Sequence, residues 1–324
     1  MTAKAPLGNK RPFRMIAGVS TLSDLADGQG AAWGYPGAGY PGKQYFVNNI
    51  TGSSTNDGSD WEHAMDEPST AITASEAFRQ VQGTDTNDYV RNQIFIQGTG
   101  TAYTKLTALP SYCDMIGVGA EVRGNGSGIA RIGADADTTP ASAVDAAATR
   151  GLYMEGLQFQ AGSGYSAFDC ADIFRSKIVN CAFFSNSTAA NPASGFTFAR
   201  ASGLVIDGCH WGGASGSGDP LIGVHVSGTH FHNTVIRNCF IIGDVGIQID
   251  VACTSTYYSI VENNWIGPGY SAQTLSIDDN SAQGWTVFRN NQIGTAGTLA
   301  TGGSTRWCNN WIVNGVAPVA VTES

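Results

Sequence analysis

Charged side chains make up only 13% of this 324-residue chain, and leucine occurs just eleven times. No apolar stretch approaches the roughly 18 residues of a membrane-crossing helix, so no membrane insertion is expected. So little Lys and Glu excludes a helical bundle or coiled coil; the surface must instead be made of Ser, Thr, Asn, Gln and the 42 glycines. Basic residues are outnumbered, giving a net charge of −9 with no Lys/Arg cluster, and a nucleic-acid partner is excluded on that ground. The N-terminal stretch lacks the apolar segment of a signal peptide. Seven cysteines without a CxxC pair fit neither a complete disulfide framework nor a zinc site, and they read as reduced core residues. No metal and no cofactor is expected. What the chain does have is 42% hydrophobic and 10% aromatic residues, enough for a sizeable core.

The second half repeats a phrase: KIVNCAF, VIDGCHW, VIRNCFI, IVENNWI, VFRNNQI and RWCNNWI. Aligned, these put Cys181, Cys209, Cys239, Asn264, Asn291 and Asn310 in one column, with Leu157 an earlier member, at steps of 19 to 30 residues. The column before it holds Asn180, Gly208, Asn238, Asn263, Asn290 and Asn309. Apolar and polar residues alternate around these columns, and most phrases follow a second alternating run such as GFTFA, IGVHV, GIQID or TLSID. Several short strands per repeat with no helical pattern between them predict an all-β fold: a right-handed, single-stranded parallel β-helix, a solenoid in which each turn supplies the return path. A leucine-rich repeat fails because no leucine recurs at the repeated column. Stacked amides about 4.8 Å apart can satisfy one another, so Asn180, Asn238, Asn263, Asn290 and Asn309 are expected to form a structural ladder at a corner. The cysteine column reads as packing.

Residues 1–42 read as an extended Gly/Pro-rich arm that cannot make its own core. Residues 43–90 hold a short strand over 45–47 and a helix starting near Ser69 or Thr70, residues 91–312 the coil, and residues 313–324 a tail. The helix is the expected cap on the coil's first turn, since an open solenoid end exposes strand edges. The tail is short for the same task at the other end, where a loop or a partner has to cover the last turn.

The "YFV…G…NDG…W…A" opening, the capping helix, the "IFI…GT…Y" strand and the "MIGVGA" turn resemble right-handed β-helix proteins of the pectin-lyase-like superfamily, especially virion-associated tailspike or decoration members. The likeness covers residues 43–120 by motif and 150–312 by repeat character. It implies a structural or adhesive virion component, a spike, fibre or capsid decoration protein. Such a component would be a homotrimer in contact with surface glycan, attached to other virion proteins through residues 1–42. The alternative it implies is a polysaccharide lyase or glycoside hydrolase with an active site in an outer groove, secreted by a route the sequence does not display.

The chemistry needed for that alternative is sparse. Hydrolysis requires two carboxyl groups about 5 to 9.5 Å apart. Aligning GIQID with TLSID makes Asp250 and Asp278 neighbours, with Asp279 beside them, as candidate catalytic residues; the competing reading places them at turn entries. His225, His230 and His232 lack acidic companions at ligand spacing, and Arg175, Lys177, Arg200, Arg237, Arg289 and Arg306 are spread one per turn. Alternation puts Phe183, Trp211, Ile241, Ile266, Ile293 and Ile312 inside. It leaves Phe240, Trp265 and Trp311 on an outer face, where they would contact glycan or a neighbouring subunit.

Overall fold

The computed structural model describes residues 40–81, 90–123, 126, 128–134, 142–162, 164–185, 193–212, 220–267, 275–282, 285–294, 300–301, 306–313 and 319–320. Most of the arm therefore lies outside the described residues, as does most of the tail. The described chain winds into a parallel β-helix with three sheets of ten, nine and seven strands, the turns of its central part giving one strand to each. Sheet A runs from Tyr40–Val47, Val90–Gln97 and Cys113–Val118 through strands such as Val205–Asp207 and Ile260–Glu262 to Arg306–Cys308. Sheet B includes Ala182–Phe184, His210–Gly212, Phe240–Ile242, Trp265–Gly267 and Trp311–Ile312; sheet C includes Phe168–Phe174, Ser194–Ser202, Ile222–His232 and Leu275–Asp279.

Register explains the repeat. In sheet A, Ile178, Ile206, Ile236, Val261 and Phe288 pair in succession and face the lumen. In sheet B the inner column is Phe159, Phe183, Trp211, Ile241, Ile266 and Ile293, and in sheet C it is Phe168, Phe196, Val224, Ile247 and Ile277, all fully buried. Like residues stacked one strand spacing apart bring aromatic rings face to face: Phe168 and Phe196 have centroids 4.5 Å apart at 6°, and Phe159 and Phe183 stack at 5.4 Å and 9°. Rings of facing columns meet edge to face, as Phe183 and Phe196 do at 84°. This arrangement fills the lumen with the geometry aromatic pairs prefer. Gly195 makes room for Trp211, because a Cβ there would lie 2.2 Å from the indole.

The helix spans Pro68–Val81, starting earlier than Ser69 or Thr70. Glu67 is its N-cap, with its carbonyl accepting from the Thr70 and Ala71 amides, and Pro68 takes the first helical position, where a missing N–H costs nothing. Ala71 and Ile72 join the core cluster that contains Val47, Ile94 and Leu106, while Tyr45 donates to the Ala74 carbonyl. The first strand begins at Tyr40, longer than residues 45–47 and reaching into the expected arm. Outside sheet A, Trp61 folds back over Phe46 and Phe95, covering the first layers with a second small apolar cluster. At the far end, Val319–Ala320 turns back and pairs antiparallel with Trp311–Ile312, so the tail itself supplies an edge strand.

Candidate functional site

The corner between sheets A and B creates the site. Asn180, Asn238, Asn263, Asn290 and Asn309 all have φ between 48° and 56°, and Gly156 and Gly208 fill the same corner in other layers. Left-handed backbone is tolerated by Gly and, among the rest, best by Asn, which accounts for that column's composition. These asparagines do occupy successive layers, but their side chains face solvent and they are not the amide ladder. The ladder runs one residue further on, through Asn264, Asn291 and Asn310, all buried. Asn264 donates both its backbone N–H and its Nδ2 to Asn291 Oδ1 at 3.0 Å, and Asn291 does the same to Asn310 Oδ1 at 3.0 and 2.9 Å. Each Nδ2 also reaches a carbonyl of the layer above: Ile236, Val261 or Phe288. Cys239 N donates to Asn264 Oδ1, joining the ladder to the column of Cys181, Cys209 and Cys239. Burial, then the neighbouring thiols, push the Cys209 thiol well above its ordinary pKa, so it is a neutral packing group.

Outside sheet B, His210, Phe240 and Trp265 stack along the coil axis. The His210 and Phe240 rings lie 5.0 Å apart at 9°, and the Phe240 and Trp265 rings 4.1 Å apart at 4°. Both faces of Phe240 are thereby occupied, so it offers no stacking face to a ligand. Towards the next layer the register partner of Trp265 is Gln292 instead of a ring. Trp311 is a further layer along, 45% exposed and outside the ring stack. Burial, helped by Arg123, holds the His210 imidazole down at about 4, so it is neutral at pH 7. Its Nδ1 is buried without a hydrogen-bond partner among the described residues.

Beside this stack opens a cleft of about 440 Å³, lined by Arg123, Asn238, Asn263, Asn290, Phe240, Trp265 and Gln292. Asn238 is engaged, donating to Asp207 Oδ1 at 2.9 Å. Asn263, Asn290, Gln292 and Arg123 make no side-chain hydrogen bond among the described residues. Among the described residues the cleft is thus lined by an aromatic ring, three amides without a side-chain hydrogen bond and a guanidinium, and by no carboxylate. Nothing in the sequence flagged Arg123, which comes from the loop after Val118, or Gln292.

The candidate carboxylates lie elsewhere, on the outer face of sheet C. Register pairs Gln248 with Asp278 and Ile249 with Asp279, so Asp250 falls opposite Asn280 and the alignment of Asp250 with Asp278 is corrected by two residues. Asp279 points inward, fully buried, and accepts from the Ser281 amide and hydroxyl at 3.0 and 2.6 Å, a turn role. The outer column is Asp145, Asp169, Thr197, His225, Gln248 and Asp278. Asp250 is held by His225 Nε2 at 3.0 Å and by Gln248 Nε2 at 3.1 Å. Burial, then the charge of Asp250, raises the Asp278 pKa; burial, then Asp145, raises that of Asp169. Among the described residues no three His, Cys, Asp or Glu side chains converge as metal ligands, and no helix is long and apolar enough to cross a membrane.

No family model matches the sequence, and no curated protein does. Among solved structures, pectate lyase Pel9A superposes with a TM-score of 0.51 at 13% identity, over 86% of this chain and 78% of that one. A GH136 lacto-N-biosidase from Eubacterium ramulus gives a TM-score of 0.40 at 13% identity, over 82% of this chain and 57% of that one, too low to carry weight. Identity this low speaks for architecture alone. The chain is a parallel β-helix, an architecture it shares with that pectate lyase.

Proposed function

We propose that the protein is an adhesive β-helix that holds a saccharide in the cleft between sheets A and B. The observation that carries this reading is the Trp265 ring, stacked on Phe240, beside the amides of Asn263, Asn290 and Gln292, which make no side-chain hydrogen bond among the described residues, with Arg123 in the same lining. A sugar ring needs an apolar C–H face covered and its hydroxyls met by fixed donors and acceptors, and amides on successive layers meet hydroxyls at the coil's own repeat. With one guanidinium and no carboxylate, the cleft suits a neutral or anionic glycan. The setting we assign is a virion spike or decoration protein anchored through residues 1–42, as the resemblance of residues 43–120 implies. Screening the full chain on a glycan array, then titrating the best binder by calorimetry, tests the reading. Trp265→Ala should weaken binding at least tenfold, about 1.4 kcal/mol; retention of full affinity by that variant refutes it.

A second reading, a glycosidase or lyase on the face of sheet C, is favoured by the raised carboxyls of Asp278 and Asp169 near the His225–Asp250 pair. A carboxyl kept protonated beside an ionised one is the pairing acid–base chemistry uses. Incubating acidic and neutral polysaccharides with wild type and Asp278→Asn decides it: depolymerisation lost in the variant supports catalysis, and an inert wild type removes it.

A further inference from the structure

The outer face of sheet A carries two parallel columns beyond the first layers. One is apolar: Val205, Val235, Ile260 and Val287, stacked in register, with Val205 only 6% exposed and the other three partly exposed. Beside it runs Asp207, Arg237, Glu262 and Arg289, alternating in sign from layer to layer. Within the chain the charges pair two by two, Arg237 with Asp207 at 2.8 Å and Arg289 with Glu262 at 2.6 Å. At the N-terminal end the same sheet face is sealed by Trp61, which shows what the chain does where it closes that surface itself.

We infer that this face binds a second copy of the chain, coil axes antiparallel, about a two-fold axis lying along the strand direction between the layers of Arg237 and Glu262. Such an axis reverses the layer order while keeping each column opposite its own copy. Arg237 then meets Glu262 of the other copy and Asp207 meets Arg289, so all four positions face the opposite sign. In the apolar column Val235 meets Ile260 and Val205 meets Val287. A parallel side-by-side pairing in register would instead oppose like charges at every layer, at a cost in free energy. Lys177 and Arg306, which flank the apolar column above and below, oppose each other under the same axis and end the contact there.

The corner next to the apolar column supplies a second, independent observation. Tyr258 is 78% exposed with φ at 57°, in a column where Gly203 and Asn233 sit at the same left-handed turn. Bulky Arg175 and Tyr112 take the same turn in earlier layers, but Tyr258 does so at the surface, its ring near only that of Tyr257 among the described residues, and left-handed strain of this kind collects at functional surfaces. Trp285, 58% exposed, stands one layer along the same corner and widens the apolar margin. Four layers span only about 14 Å at the strand spacing, so the contact is smaller than a standard interface and the dimer weak and salt-sensitive.

Sedimentation of the full chain from about 10 µM to about 1 mM in low salt should show a monomer–dimer equilibrium, weakened at least tenfold at about 1 M NaCl. Ile260→Asp, on an outward position, should leave the fold's circular dichroism unchanged and abolish the dimer. A sign-swapped chain (Asp207→Arg, Arg237→Asp, Glu262→Arg, Arg289→Glu) keeps its internal pairs and should form its own dimer. Mixed with fluorescently labelled wild type, it should give no energy transfer, because like charges then oppose. A wild type that stays monomeric, forms trimers, dimerises undiminished as Ile260→Asp, or pairs readily with the swapped chain overturns the inference. The readout is independent of glycan binding, so either proposal can fail without the other.

Discussion

At the scale of single residues the coil depends on backbone handedness. Among the described residues seven layers turn the A–B corner through a left-handed residue, and each of these is Asn or Gly. The C–A corner is less strict, using Tyr112, Gly151, Arg175, Gly203, Asn233 and Tyr258. Relieving the strain at Tyr258 should stabilise the monomer: Tyr258→Gly is expected to gain up to about 1 kcal/mol, read as a higher Tm at dilute concentration. An unchanged or lower Tm would show that its ring makes a compensating contact. His210 supplies the pH dependence. Its folded pKa of about 4 lies below the ordinary 6.5, so the unfolded chain binds more protons between those values. The stability it contributes is complete above pH 6.5 and is lost as pH falls towards 4. His210→Phe, which keeps a ring on Phe240, should gain on wild type steadily across that window in urea titrations. Parallel pH curves for the two proteins would contradict the assignment.

At the scale of elements the repeat was legible and the direction of its columns only partly so. The phrases KIVNCAF to RWCNNWI mark the strands of sheets A and B, and the alternation that places Ile266 in the lumen also places Trp265 outside. The same alternation puts Asn264 inside, so the ladder was readable one column on from the asparagines at the bend. What obscured it is that Asn263 and Asn264, like Asn290 and Asn291, are identical neighbours whose composition cannot say which one turns the corner. Asp250 and Asp278 were matched by their identity, whereas the physical anchors of register are the lumen residues Ile247 and Ile277. Anchoring there aligns Asp169, Thr197, His225, Gln248 and Asp278. Arg123 left no trace because a loop, and not a repeat, brings it to the cleft. The ladder makes a sharp prediction. Asn291→Ala removes the acceptor of two Asn264 donors and orphans a buried carbonyl, and should cost about 3 kcal/mol by urea midpoint. Asn310→Ala, at the ladder's end, should cost less, and the reverse order would refute a cooperative ladder.

At the scale of the whole molecule, a solenoid is stable only if its ends are closed, because stacking leaves the first and last layers with unpaired edges. The helix Pro68–Val81 closes one end, as its apolar side suggested. The antiparallel strand Val319–Ala320 pairs at the other, a feature the short tail did not advertise because two residues of backbone pairing need no sequence pattern. Removing residues 314–324 bares the edge of Trp311–Ile312, so the truncated chain should aggregate on light scattering at concentrations where the full chain does not; unchanged scattering would assign the closure elsewhere. With the lumen filled by stacked aromatic and β-branched side chains, the outside is free to differ from face to face: aromatic and amide on B, acidic with histidine on C, apolar beside paired charges on A.

The functional account stands or falls on where a glycan sits. A crystal structure of the full chain soaked with the oligosaccharide that binds best should show a sugar ring against the Trp265 side chain, its hydroxyls within hydrogen-bond reach of Gln292, Asn263 or Asn290. Density instead along the Asp169–His225–Asp278 column, with the A–B cleft empty, would contradict it.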